Sequence, residues 1–370
     1  MNLFTGVPQI KSQVSIGYED NILLLGSCFS VVLGKWLDER KFNVNYNPFG
    51  TVYNPVSISK LLDCALKNQK PGREEVLEQN GVFYHFDFHS DVSALNPEEV
   101  LLNIENRVSS AFSFLQKTTF LCITLGTSIV YRRKDNNEVV ANCHKVPATY
   151  FDKNFLTIEE MVSSLSDIIT KLREKLPQLA ILFTVSPVRH IKDGLIENNR
   201  SKSRLIEVAH IMTEKFTNII YFPSYEIVTD QLRDYRFYEK DLIHPNEMAH
   251  MEICNYFSNT FFTEETKGIV QKTEKIKSAF HHRPQFENHI DYKRMCLSQL
   301  EEIQHLQNIF PSMDFRNQDL LNNNPPPPPR VLIFCSFIPI VVKHEGAKCC
   351  FIDKRGQKSC DRTFLIVTVK

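Results

Sequence analysis

An apolar run, Ile22-Leu23-Leu24-Leu25, stops at Gly26 and is followed at once by an alcohol and a thiol, Ser27 and Cys28, where a helical pattern opens. A nucleophile gains twice from that position. The carboxyl end of a strand faces the crevice in which open α/β sheets bind ligands, and the free N–H groups of a following helix stabilise a developing negative charge. Gly-Ser after a strand is also an ordinary turn and helix N-cap, so these residues alone do not decide the matter. The second piece is Asp241-Leu242-Ile243-His244-Pro245, ahead of another helical pattern. An acid and an imidazole at this spacing share one turn: the carboxylate accepts a hydrogen bond from one ring nitrogen, and the other nitrogen is free to take a hydroxyl proton. Pro245 suits a first helical turn and marks the boundary. A DxxH is common and usually structural. Its place far downstream of Gly26-Ser27, in the chain order Ser, Asp, His, makes a triad of Ser27, Asp241 and His244 the expectation.

These residues need a scaffold that brings distant pieces together, and the chain supplies one. Strand-like runs at 21–25, about 42–45, 119–125, 180–185 and 218–222 alternate with helical periodicity at 29–40, 56–67, 97–116, 157–175, 199–216 and 246–261. That alternation implies a parallel sheet covered on both faces. Three of the strands end at motifs, Gly26-Ser27, Gly126-Thr127 and Ser186-Pro187, so their ends converge on one site. Just beyond the last, Arg189 either clamps a substrate carboxylate or phosphate or pairs with Asp234 or Asp241; both readings stay open. His190 and His144 rank below His244 as the base because neither has an acid at the DxxH spacing. In Phe83-Tyr84-His85-Phe86-Asp87-Phe88-His89 a strand would place His85, Asp87 and His89 on one face. An edge hairpin with Phe86 and Phe88 turned inward explains the alternation better than a metal site, and no metal or other cofactor is expected. Residues 131–140 read as a hairpin with a charged tip.

Gly26-Ser27-Cys28-Phe29-Ser30 resembles the signature of the GSCFA domain family, which is related to the SGNH (GDSL-like) hydrolases. Further runs carry the same resemblance, among them Asn47 to Pro55, Leu125 to Ser128, Asn142 to Lys145, Ser186 to His190, Tyr221 to Glu226, and Arg233 to Tyr238 through His244-Pro245. It implies a three-layer α/β/α domain over residues 1–262 with a mainly parallel, flavodoxin-like sheet. It also implies a serine esterase acting on a small-molecule or carbohydrate ester, such as an O-acetyl group. Ser27 would attack, His244 move the proton and Asp241 orient the imidazole. The pattern departs from the wider group in two places. Cys28 occupies the position usually held by the nucleophilic serine, so Ser27 is preferred with Cys28 held open. The oxyanion would be received by N–H groups of Ser27 or Cys28 and Gly50, and the usual third-block asparagine is missing from Gly126-Thr127-Ser128. A hydroxyl of Thr127 or Ser128, or the amide of Asn142, would substitute. An acyltransferase, or a binding module that has kept the fold, are the alternatives.

Composition agrees with this picture. The chain has 370 residues, 42% hydrophobic, with Lys plus Arg and Asp plus Glu equal at 43 each, so no overall field points to nucleic acid. The start lacks the basic and apolar stretches of a secretion signal and no run is long enough for a bilayer, which sets a cytoplasmic protein without membrane contact as the expectation. The ten cysteines form no CxxC pair, in keeping with reduced thiols. Beyond 262 come a charged helical extension (263–310), with Leu297, Leu300, Ile303, Leu306 and Ile309 at roughly helical spacing, and an Asn/Pro-rich linker (311–330). The tail, 331–370, matches no partner pattern and reads as a shifted frame downstream of the proline tract would.

Overall fold

The structure, a computed structural model, describes residues 5–281, 285, 289–315, 351–352 and 358–359. In chain order, β1 (Asn21–Gly26), α1 (Cys28–Glu39), β2 (Asn43–Tyr46) and α2 (Pro55–Lys67) lead to a small hairpin, β3 (Leu77–Gln79) and β4 (Val82–Tyr84). Then come α3 (Pro97–Leu115), β5 (Phe120–Leu125), and an antiparallel insertion of β6 (Ile129–Arg133), β7 (Val139–Val140) and β8 (Phe151–Phe155). The remainder is α4 (Ile158–Lys175), β9 (Ala180–Val185), α5 (Leu195–Lys215), β10 (Ile219–Phe222), a single turn α6 (Ser224–Glu226), α7 (Glu247–Phe261), α8 (Glu264–His281) and α9 (Ile290–Ile309). Among the described residues no helix is long and apolar enough to cross a membrane.

The main sheet has five strands in the order β10-β9-β5-β1-β2, every neighbouring pair parallel. Its strands are apolar on both faces because helices cover both. Leu23, Leu25, Leu121, Ile123, Ile181 and Phe183 meet buried residues of α2, α3, α4 and α5. Ile22, Leu24, Cys122, Leu182 and Phe222 meet Phe29 and Leu33 of α1 and Ile253 and Phe257 of α7. This is a three-layer α/β/α architecture with a flavodoxin-like strand order, whose direction of winding reverses between β1 and β5; open sheets bind ligands outside the strand ends at such a reversal.

Helix boundaries follow local chemistry. Asn54 caps α2 by accepting from the Ser57 N–H, Thr157 and Glu160 form a reciprocal capping box on α4, and Asn246 caps α7 by accepting from the Ala249 N–H. The expected helix 199–216 starts earlier, at Leu195, because Gly194 at φ 82 turns the chain into it. The expected strand over Phe83–His89 stops at Tyr84. His85 turns inward there, 5% exposed, and its Nδ1 accepts from the Asp87 N–H; Asp87 pairs with Lys60 and His89 with Asp91, so the three polar residues do not share a face. α8 and α9 contribute Ile276, Ile303 and Leu306 to the core on the α1/α7 side, whereas Leu297 and Ile309 are exposed. Residues 316–330 of the expected linker and most of the tail lie outside the described residues. Within the tail, β11 (Phe351–Ile352) pairs antiparallel with β12 (Lys358–Ser359).

Candidate active site

The corner after β1 is held by backbone and by one side chain. Gly26 has φ 132, and a Cβ there would lie 2.1 Å from the Thr124 carbonyl oxygen, so only glycine lets β1 and β5 approach this closely. Asn47, itself left-handed at φ 46, accepts from the Gly26 N–H at 2.9 Å, and Val52 N–H donates to the Gly26 carbonyl. Ser27 is thereby fixed as the N-cap of α1. Its N–H donates to Thr124 O at 3.1 Å, and its Oγ is buried with no hydrogen-bond partner. Cys28, the first residue of α1, is partly exposed. Burial pushes its thiol pKa up, against the lowering effects of the Lys202 ammonium and of the N–H groups of Cys28 and Phe29 at the helix start. Of the two candidate nucleophiles, the thiol is the one open to a substrate.

The acid–imidazole pair lies at the head of a neighbouring helix. Asp241 Oδ2 and His244 Nδ1 are 2.6 Å apart, and Asp241 Oδ1 accepts from the N–H groups of Ile243 and His244. The imidazole and these N–H groups hold the Asp241 carboxyl at about 2, well below the usual range, so it remains a carboxylate. Both side chains are solvent-facing, with His244 51% exposed. α1 and α7 run side by side in the same direction: Trp36 near the end of α1 packs edge-on to Phe257 and stacks on Phe262, and Phe261 O accepts from the Ile16 N–H just ahead of β1. Both helices therefore end at the amino edge of the sheet and begin at the carboxyl edge, which puts Ser27-Cys28 and Asp241-His244 at the same edge and in the same layer. No hydrogen bond joins the two pairs among the described residues.

The oxyanion donors expected from the sequence are largely engaged elsewhere. The Gly50 N–H donates to Asn47 O at 2.8 Å and the space above Gly50 is filled by His89, so it is not a free donor. The hydroxyls of Thr127 and Ser128 meet Ser201 Oγ at 3.1 and 3.2 Å. Asn142 turns to the insertion, where its side-chain oxygen accepts from the His144 N–H and its own N–H donates to Phe86 O. His144 Nε2 lies 2.9 Å from His85 O and its ring stacks on Tyr84, a structural role in place of a base. His190 does reach the crevice: its ring packs edge-on to Tyr53, and burial beside Lys202 lowers its pKa to about 4, which leaves it neutral. Arg189 forms no ion pair with Asp234 or Asp241, which pair with Arg236 and His244; instead its Nη1 donates to the Tyr238 hydroxyl at 3.1 Å.

One residue went unnoticed in the sequence. Lys202 of α5 is 1% exposed, and its Nζ donates to the carbonyls of Gly126 at 2.7 Å and Ser186 at 2.8 Å, tying together the carboxyl ends of β5 and β9. Burial brings its pKa down to about 7. A signal was present: Asn198, Ser201, Lys202, Leu205, Ala209 and Met212 form one helical face, so Lys202 sits where an apolar residue is expected. A groove of about 780 Å³ lined in part by Tyr84, Phe86, Arg133 and Tyr150 opens on the insertion side and includes none of the residues at the carboxyl edge.

Fold and site together define an α/β protein with a Ser27-Cys28 corner and an acid–imidazole pair at one sheet edge. Residues 21–257 match the model of the GSCFA family, and the chain belongs to that family. No curated protein matches it at a significant level. Solved structures to which it is similar include one described as a platelet activating factor from Streptococcus pneumonia, with 11% identity, TM-score 0.32, and coverage of 65% of this chain and 83% of that one. Another is a family 3 carbohydrate esterase from Clostridium thermocellum, with 9% identity, TM-score 0.31, and coverage of 68% and 97%.

Proposed function

We propose that the chain is an SGNH-like ester hydrolase with its nucleophile at the end of β1 and the Asp241–His244 pair as its base. The supporting observation is that neighbouring helices begin at one sheet edge, the Ser27-Cys28 corner opening α1 and the 2.6 Å carboxylate–imidazole pair leading into α7. Accessibility favours Cys28 over Ser27 for attack, because Ser27 Oγ is buried and the thiol is partly open. In this reading the Cys28 sulfur adds to the ester carbonyl as His244 takes the thiol proton. The imidazolium gives that proton to the departing alkoxide, which leaves as an alcohol and a thioester to Cys28. Water, deprotonated by His244, then releases the acid and restores the thiol. Asp241 holds the tautomer and steadies the imidazolium. The first N–H groups of α1 face the oxyanion. Separation of base and nucleophile in the free chain is compatible with this, since catalytic hydrogen bonds commonly tighten only when substrate binds. A short acyl ester of a carbohydrate or small metabolite is the substrate class.

Turnover of p-nitrophenyl acetate, with parallel labelling by a fluorophosphonate and a chloroacetamide, tests the reading. Cys28→Ala is expected to abolish turnover and chloroacetamide labelling at the site, with Ser27→Ala retaining both. Asp241→Asn should lower kcat/KM by about 10²-fold or more. Turnover lost in Ser27→Ala but kept in Cys28→Ala would return the attack to Ser27. Wild-type rates in Cys28→Ala, Ser27→Ala and Asp241→Asn alike would end the hydrolase reading.

A further inference from the structure

At the carboxyl edge of the sheet neither Lys202 nor Arg189 forms an ion pair among the described residues. Lys202 is buried, and two of its three N–H groups go to neutral carbonyls. Half-buried Arg189 stands on the chain that leaves β9, and its field reaches Lys202. The field of Lys202 in turn reaches both His190 and Cys28. All four stand at the strand ends: Cys28 opens α1 after β1, Arg189 and His190 follow β9, and Lys202 is bonded to the carbonyls that close β5 and β9. Around them Asp193 pairs with Lys153, Asp230 with Arg233, Asp234 with Arg236 and Asp241 with His244, and Glu226, whose pKa burial pushes up, accepts from the Tyr221 hydroxyl and pairs with neither cation. α1 opens at the same edge with no acidic residue in its first turn and no side-chain cap, and the buried Ser27 Oγ beside it has no partner.

A buried ammonium without a counter-ion is costly to keep charged, so Lys202 with half-buried Arg189 beside it favours an anion at this sheet edge. Arg189 is built to meet it. A guanidinium has five N–H donors in a rigid fork, and among the described residues only Nη1 has a hydrogen-bond partner, the Tyr238 hydroxyl, with the Tyr238 ring 5.9 Å away helping to hold the group. The free edge of the fork matches the paired oxygens of a carboxylate or phosphate, a geometry that a lysine ammonium does not offer. Lys202 cannot reach outward in the same way, because its two carbonyl bonds fix it behind the strand ends; it supplies field.

We infer that this crevice takes an anionic substrate, an ester bearing a carboxylate or phosphate on its acyl or alcohol half, with Arg189 gripping that group in front of the buried Lys202. The nature of the ester rests on the hydrolase reading above; the anion site does not.

Titration calorimetry of the full chain with inorganic phosphate and, separately, with monomethyl succinate tests the inference without any turnover. Saturable binding of at least one anion is expected, weakened about tenfold or more in Arg189→Gln and unchanged in Arg294→Gln, which removes an exposed cation of α9. Arg189→Lys, which keeps the charge and loses the fork, provides the same comparison should Arg189→Gln not fold. The anion bound more tightly identifies which of the two the substrate carries. Failure of both anions to saturate, or equal binding by wild type and the Arg189 variants, would overturn the inference. Adding mono-p-nitrophenyl succinate and p-nitrophenyl acetate as substrates separates this from the hydrolase reading. Arg189-dependent anion binding with neither ester hydrolysed leaves the anion site standing and removes the esterase; hydrolysis of the acetate with no anion binding does the reverse.

Discussion

The two edges of the main sheet are built to different standards. At the amino edge Tyr18 stacks on Phe42 with centroids 4.2 Å apart, Phe42 on Phe262 at 5.0 Å, and Phe262 on Trp36 at 5.9 Å. Charges there are matched: Arg40 lies over the Trp36 ring and pairs with Glu274, and Lys277 pairs with Glu39. The carboxyl edge has a left-handed Gly26 pressed against a carbonyl, a buried serine hydroxyl without a partner, and two cations that form no ion pair among the described residues. The amino edge pairs its charges within the chain, leaving Arg40 Nε buried without a partner, whereas the carboxyl edge leaves its two cations without ion pairs among the described residues. Such local inconsistency concentrates where function is, and the stability gained at the amino edge offsets its cost.

Substitutions that fall on one edge or the other can break this comparison. Gly26→Ala has the largest expected effect, because the new methyl meets backbone that cannot move without parting β1 from β5. Urea unfolding should show a loss above about 4 kcal/mol, or no folded protein at all. Gly268→Ala, in α8 with open space at its Cβ, should instead gain roughly 0.5–1 kcal/mol. Phe262→Ala at the amino edge should cost about 3–5 kcal/mol by leaving a cavity among Trp36, Phe42 and Phe257, while ester turnover per folded molecule stays at the wild-type value. A fall in turnover matching the fall in stability would mean that the two edges do not work separately.

The scaffold was far more legible in the sequence than the site's inner wiring. Strands of continuous apolar residues, such as Leu121 to Leu125, announce themselves, and Pro245 with Asn246 marks the start of α7. The co-location of strand ends also followed from the alternation of elements. Hydrogen-bond commitments did not, because they depend on which turns the backbone takes. Nothing in Asn47-Pro48-Phe49-Gly50 reveals that Asn47 adopts φ 46 and captures the Gly50 N–H. Likewise Thr127 and Ser128 look like free hydroxyls until α5 brings Ser201 against them. Accessibility is equally invisible one residue at a time: nothing in Gly26-Ser27-Cys28 reveals that Ser27 is buried and Cys28 partly open. Lys202 was missed for a simpler reason: in the charged run Asn199-Arg200-Ser201-Lys202-Ser203-Arg204 one more cation looks like surface, and only its register on the helix says otherwise.

Lys202 also offers the finest test of the contrast, through pH. Its pKa is about 7 in the folded chain against 10.5 for an ordinary lysine, so between those values the unfolded chain binds the extra proton. Stability therefore rises with pH across that window, and the penalty is fully present below about pH 7. One proton contributes at most about 1.4 kcal/mol per pH unit, which amounts to about 2 kcal/mol between pH 7 and pH 9. Other groups titrate there as well, so the quantity to measure is the difference in unfolding free energy between wild type and Lys202→Met as a function of pH. That difference should shift in favour of the wild type as pH rises. A bound anion favours the charged ammonium, and saturating phosphate should flatten the slope for the wild type and leave Lys202→Met unaffected in slope. A difference that is independent of pH would show that Lys202 keeps an ordinary lysine's proton affinity in its buried position, and the carboxyl edge would then be no more frustrated electrostatically than the amino edge.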